Sequence, residues 1–113
     1  MKSKEGIDRL GHIKRMPCVC CAMIELPQPS ITEAHHLVDK GTRKASGGDM
    51  ATIPLCGWHH RAEPRIELGK AVMLFKYGPS LKYQGGKGAF AEKWGTEREL
   101  LELTNKKLEE RRC

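Results

Sequence analysis

Aromatic residues are scarce in this chain: two Trp, two Tyr and two Phe among 113 residues, with hydrophobic residues at 39% overall. One domain of that length buries a small, thin core. Such cores are commonly stapled by disulfides or by a structural metal. Two further absences argue against disulfides. The five cysteines are an odd number, and the opening MKSKEGIDRLGHIKR has no apolar stretch of the kind that marks a secretory signal. No apolar run is long enough to cross a membrane. The expectation is an intracellular protein whose thiols stay reduced and bind metal. Internal repeats and long low-complexity tracts are missing too.

What the chain has is basic charge. Twenty Lys and Arg face 14 acidic residues, for a net +6. The segment from Glu97 to Arg112 carries five of each sign and is neutral. The excess therefore falls on residues 1–15, on Lys40, Arg43 and Lys44, and on Lys76 to Lys93. Clustered basic charge attracts a polyanion, with nucleic acid the first candidate. The competing reading is a solvated, mildly basic surface.

Punctuation divides the chain into a basic arm or loose helix (1–15) and one domain (16–113). Pro17 to Cys21 is a Cys-rich knuckle, and Pro27, Pro29 and Ser30 mark a turn. Strand-like runs are expected at 31–38 and 51–55, with Pro54 suited to an edge. The glycine-rich stretch 41–48 between them reads as a loop. A short helix is expected from Cys56–Gly57 to Pro64, and a helix or apolar run at 67–77, stopped by Gly78-Pro79. Gly85, Gly86 and Gly88 read as a flexible joint ahead of Ala89 to Trp94. The last segment is the clearest helix. Thr96 and Glu99 have the spacing of a capping box, and Leu100, Leu101, Leu103 and Leu108 form its apolar stripe. Trp58, Phe90 and Trp94 read as core rather than as stacking platforms, and His12 stands alone.

Cys18 and Cys21 are spaced C-x-x-C, and Cys56 and His59 are spaced C-x-x-H. Two intervening residues let a tight turn aim both side chains at one tetrahedral ion. The two knuckles together make a closed structural zinc site of Cys3His type. The 34 residues between them must be folded. Cys20 is an alternative ligand, but C-x-C spacing fits a knuckle less well. Cys113 is expected to be free.

Apart from His12, three histidines are left over. His35 and His36 are adjacent on a strand-like segment, so their side chains point to opposite faces. His60 follows His59 and is turned away from the zinc by roughly 100° of helical rotation. Phosphodiester hydrolysis needs a divalent ion to stabilise charge on the phosphate and a near-neutral base to activate water. The expected roles are His36 as general base and His35 and His60 as ligands of a catalytic ion, Mg2+ or Mn2+. The competing reading is ordinary surface or core histidines. Arg43, Lys44 and Arg61 are candidates for DNA phosphates, or else solvated loop charges.

Ala34-His35-His36-Leu37, the glycine- and lysine-rich loop, and Thr52-Ile53-Pro54-Leu55-Cys56-x-x-His59-His60-Arg61 together resemble the HNH, or ββα-metal, nucleases. The resemblance covers roughly residues 18–62. It implies an α+β fold: a small, treble-clef-like ββα core of about 18–64 that holds zinc and surrounds one catalytic ion, with additional C-terminal helices at 65–113. It also implies a residue shortly before the second knuckle that orients the base loop, for which Asp49 is preferred over Thr52. The tail Gly86-Lys87-x-x-Phe90-Ala91-Glu92-Lys93-Trp94-Gly95-Thr96 is similar to the phage recombination-enhancement nucleases, which are RecA-dependent. That similarity implies a metal-dependent DNA endonuclease acting with a RecA filament at displacement loops, in the cytoplasm of a bacterial host and encoded by a phage or prophage. The chain departs from those relatives in carrying Lys82, Tyr83 and Gln84 where many have a histidine, and in its short basic N-terminal region. The alternatives are a non-catalytic zinc-dependent nucleic-acid-binding module and a zinc-stapled interaction adaptor.

Overall fold

The computed structural model describes residues 4–65 and 67–112, with side chains to residue 110. The expectation for Cys113 lies outside the described residues, as do residues 1–3 of the basic segment.

Residues Lys4–Arg15 form helix α1. Gly6, Arg9 and Ile13 are its buried residues, three and four apart along one stripe. The Cys-rich knuckle opens a short helix, α2, at Val19–Ile24. Strand β1 spans Thr32–His36 and β2 spans Thr52–Cys56. They pair antiparallel, with Thr32 opposite Cys56 and His36 opposite Thr52. Pro54 sits opposite Ala34, tolerated because both strands of a two-stranded sheet are edges. Both strands are shorter than or offset from the expected runs. Ile31 lies outside β1 and is 82% exposed, so burial rather than β-propensity sets that boundary. A single 3-10 turn at Gly48–Met50 leads into β2.

β2 runs directly into helix α3, Gly57–Arg61. Three more helices follow: α4 at Lys70–Tyr77, α5 at Gly86–Trp94 and α6 at Glu97–Arg112. Gly86 and Gly88, expected as a joint, lie inside α5. Glycine disfavours a helix by about 1 kcal/mol relative to Ala. The burial of Phe90 and Trp94, 1% and 6% exposed, overrides it. The capping box at the start of α6 forms as expected: the Thr96 N–H donates to Glu99 Oε1 at 2.9 Å and the Glu99 N–H to Thr96 Oγ1 at 3.1 Å.

The result is a small α+β molecule. α1, α2, α3 and α6 all pack on the two-stranded sheet. Every residue of β2 is buried, as are Trp58, Tyr77 and Leu100 from the helices. Two buried anchors tie distant segments together. Arg9 donates from Nε to Thr52 Oγ1 at 3.0 Å and from Nη2 to the Thr52 carbonyl at 2.8 Å. Trp94 Nε1–H donates to the Pro79 carbonyl at 2.9 Å. Gly78, at φ +86, lets the chain pass that ring, because a Cβ there would lie 2.7 Å from Trp94 Cζ2. No helix among the described residues is long and apolar enough to cross a membrane.

Candidate metal centre and histidine site

The two knuckles meet. Cys18 caps α2, Cys21 lies inside it, Cys56 ends β2 and His59 sits in α3. Their ligand atoms are buried and lie within 4.8 Å of one another. Cys21 Sγ is 3.8 Å from Cys56 Sγ. His59 Nδ1 is 3.3 Å from Cys56 Sγ, 3.5 Å from Cys18 Sγ and 3.6 Å from Cys21 Sγ. Tetrahedral zinc, with bonds of about 2.3 Å to sulfur and 2.0–2.1 Å to nitrogen, would set sulfur pairs about 3.8 Å apart and sulfur–nitrogen pairs about 3.5 Å apart. The cluster has those separations and could hold a structural zinc.

Its thiols split in opposite directions, and hydrogen bonds with Cys18 and Cys56, together with burial, push Cys21 up. Hydrogen bonds from Cys20, Cys21 and Cys56 hold the Cys18 thiol well below its ordinary range, against burial. Burial opposes charge on His59, yet Cys18 and Cys56 raise its pKa to about 9. His59 Nε2–H donates to the Tyr77 carbonyl at 2.9 Å, so Nδ1 is the nitrogen left for an ion. The edge of that ring contact is closed by Trp94, at 5.3 Å between centroids. Cys20 is buried but stands outside the group of four. Burial pushes its thiol up.

Beyond the cluster, three histidines each meet a carboxylate. His35 and Glu33 are two residues apart on β1 and share a face. His60, from α3, closes on both: its ring lies 4.9 Å from that of His35, and its Nδ1–H donates to Glu33 Oε1 at 2.8 Å. His35 Nε2–H donates to Glu97 Oε1, from the first turn of α6. His36, on the other face, donates from Nε2 to Asp49 Oδ1 at 2.7 Å. An ionised carboxylate only accepts, so each facing nitrogen carries the proton. In the neutral ring, the nitrogen left without a proton would be Nδ1 in His35 and His36 and Nε2 in His60.

Burial pushes His60 below its ordinary range, with Glu33 opposing and His35 adding to the effect. The Glu33 carboxyl is held low by Arg61, against burial. Burial works to raise Glu97, but the His35 hydrogen bond and Lys87 outweigh it and hold it below the usual carboxylate range.

The structure thus brings His35 to His60 and His36 to Asp49. Thr52, the other candidate for the orienting position, donates from Oγ1 to the Asp49 carbonyl at 3.0 Å and so holds that turn from behind. Among the described residues, the Cys3His set is the only group of three or more His, Cys or acidic side chains converging within 4.8 Å. His35 and His60 therefore stand as a pair. Tyr83, near the position where a histidine was missed, packs on Trp58 at 5.7 Å instead. Arg43 and Lys44 are exposed in the loop between the strands. Arg61 is engaged by Glu33 and Glu63.

Sequence reading missed Glu33 and Glu97. Glu33 had a signal, being two residues before His35 on a strand. Glu97 had none, standing 62 residues from its partner.

Fold and site define a class: a small α+β protein with a Cys3His cluster, able to hold a metal, joined through consecutive residues of α3 to a His35–His60 pair whose rings each meet a carboxylate. The family described as recombination enhancement, RecA-dependent nuclease matches residues 3–109. The chain belongs to that family. No curated protein matches the chain.

Proposed function

We propose that the chain is a metal-dependent DNA endonuclease of the ββα-metal (HNH) type, hydrolysing phosphodiester bonds and acting with a RecA filament at displacement loops in phage recombination. The carrying observation is the meeting of His35 and His60 where β1 faces α3, with His36 on the opposite face of β1 and one ring nitrogen of each held by a carboxylate, in a chain of a RecA-dependent nuclease family. The order β1, β2, α3 around the cluster supports the ββα assignment.

In this reading His36 is the general base. Its Nδ1 accepts a proton from the attacking water, while Asp49 holds Nε2–H and stabilises the imidazolium that forms. His35, through Nδ1, and His60, through Nε2, would hold Mg2+ or Mn2+. When bound, that ion supplies charge stabilisation for the phosphate and the leaving oxygen. Two protein ligands leave room for the waters and substrate phosphate oxygens that such an ion keeps, although imidazole is a softer ligand than the carboxylates these ions usually take. Arg43 and Lys44 are placed in the reading as phosphate contacts, with Arg61 joining them by exchanging its carboxylate partners. Zinc at Cys18, Cys21, Cys56 and His59 keeps α3 in register. Four buried free cysteines suit a reducing compartment, in keeping with the bacterial cytoplasm as the proposed site of action.

The test is a nicking assay on single-stranded, duplex and recombinase-coated DNA with Mg2+ or Mn2+. His36→Ala should keep its zinc and melting temperature and lose about 10²–10⁴-fold in rate. Nicking by His36→Ala at the wild-type rate would refute the assignment of the base. A second reading, a non-catalytic zinc-dependent nucleic-acid-binding module, is favoured by the absence of a third converging ligand beside His35 and His60 among the described residues. Steeply salt-dependent DNA binding without metal-stimulated cleavage would select it.

A further inference from the structure

Glu97 is buried in a place where a glutamate has no ordinary reason to be. It opens α6, whose flanks are charged and exposed, yet it is 8% exposed. A glutamate in the first turn of a helix usually caps the backbone or points to solvent. Capping does not explain this one, because Thr96 and Glu99 already satisfy the start of the helix reciprocally. Burying a carboxylate is costly unless it is paired and hydrogen-bonded. Both oxygens of Glu97 have partners: Oε1 accepts from His35 Nε2–H, and Oε2 lies 3.5 Å from Lys87 Nζ of α5. The C-terminal helices therefore reach into the histidine site through this one side chain.

We propose that Glu97 is a positioning residue: its carboxylate fixes the ring and tautomer of His35 so that Nδ1 is the nitrogen offered to a divalent ion. This rests on the reading of His35 and His60 as ligands of the catalytic ion. The chemistry is that of a carboxylate–histidine–metal relay. The outer carboxylate orients the imidazole and raises its basicity, and its loss typically costs 10–100-fold in metal affinity. Glu33 stands to His60 as Glu97 stands to His35, so the two ligand histidines are each held from behind. The difference is reach. Glu33 comes from the same strand face as His35, whereas Glu97 comes from a helix 62 residues away in sequence, which makes the site dependent on correct docking of α6.

The alternative is an ion pair that merely ties α6 to β1. Metal affinity and the state of the His35 ring separate the two. Full-length, zinc-loaded wild type, Glu97→Ala and Glu97→Gln are compared by Mn2+ titration calorimetry and by 15N NMR of the histidine rings. The expected result is that Glu97→Ala keeps its zinc and loses roughly 10–100-fold in Mn2+ affinity, with His35 no longer held as the Nε2–H tautomer. Glu97→Gln should recover part of both, since its amide oxygen still accepts from Nε2–H; it also covers the case in which the alanine variant fails to fold. Unchanged Mn2+ affinity in the folded variants overturns the proposal. Wild type that holds zinc but binds no Mn2+ overturns the two-ion reading instead. In that case an unchanged His35 tautomer in the variants overturns the role of Glu97, and a changed one supports it.

Discussion

At the scale of single residues, the cysteines divide by geometry rather than by chemistry. Cys18, Cys20, Cys21 and Cys56 are all free and buried, but only three of them converge with His59. Structural zinc contributes on the order of 10 kcal/mol of folding free energy to small domains. Cys56→Ser should therefore lose zinc and cooperative melting together. Cys20→Ala should keep one zinc per chain and lose only about 1 kcal/mol, the ordinary cost of a small core change. Zinc analysis and thermal melting of both variants check this, and zinc loss from Cys20→Ala would show that the ligand set is wrong. The histidines divide in the same way. His59 faces the sulfurs and the Tyr77 carbonyl, while His60, one residue on, faces Glu33 and His35. One helical step separates scaffold from proposed chemistry.

At the scale of elements, local signals decide where packing is weak, and packing decides where it is strong. The start of α6 was legible because a capping box is a local device: Thr96 and Glu99 need only each other. Thr96→Ala should cost about 1 kcal/mol, read as a shift in the denaturant midpoint with an unchanged slope. No loss would mean that docking of Glu97 and Leu100 alone holds the helix start. α5 is the opposite case. Its glycines argue for a joint, but Phe90 and Trp94 are pulled into the core and the helix forms around them. α1 likewise gains its place from burial of Ile13 and from the two hydrogen bonds of Arg9 to Thr52. Nothing near Arg9 in sequence announces a partner 43 residues away.

At the scale of the whole molecule, the Cys3His cluster joins α2, the end of β2 and α3, and the sheet in turn carries α1 and α6. Withdrawal of zinc should therefore not melt one knuckle alone. A strong chelator should abolish the cooperative transition, seen by circular dichroism, and added zinc should restore it; retention of the full helical signal and the same melting temperature would show that the core stands without the ion. The sequence by itself determined what is encoded in short spacings: the pairing of Cys18 with Cys21 and of Cys56 with His59, the opposite faces of His35 and His36, the turn of His60 away from the cluster, and the capped final helix. These follow from bond geometry over a few residues, so they hold in almost any fold that contains them. Only the tertiary structure decided that Asp49 meets His36, that Tyr77 fixes the His59 ring, and that Glu97 closes on His35. Those contacts depend on which helix buries which face against the sheet, a sum of many apolar contacts along the chain that no local spacing records.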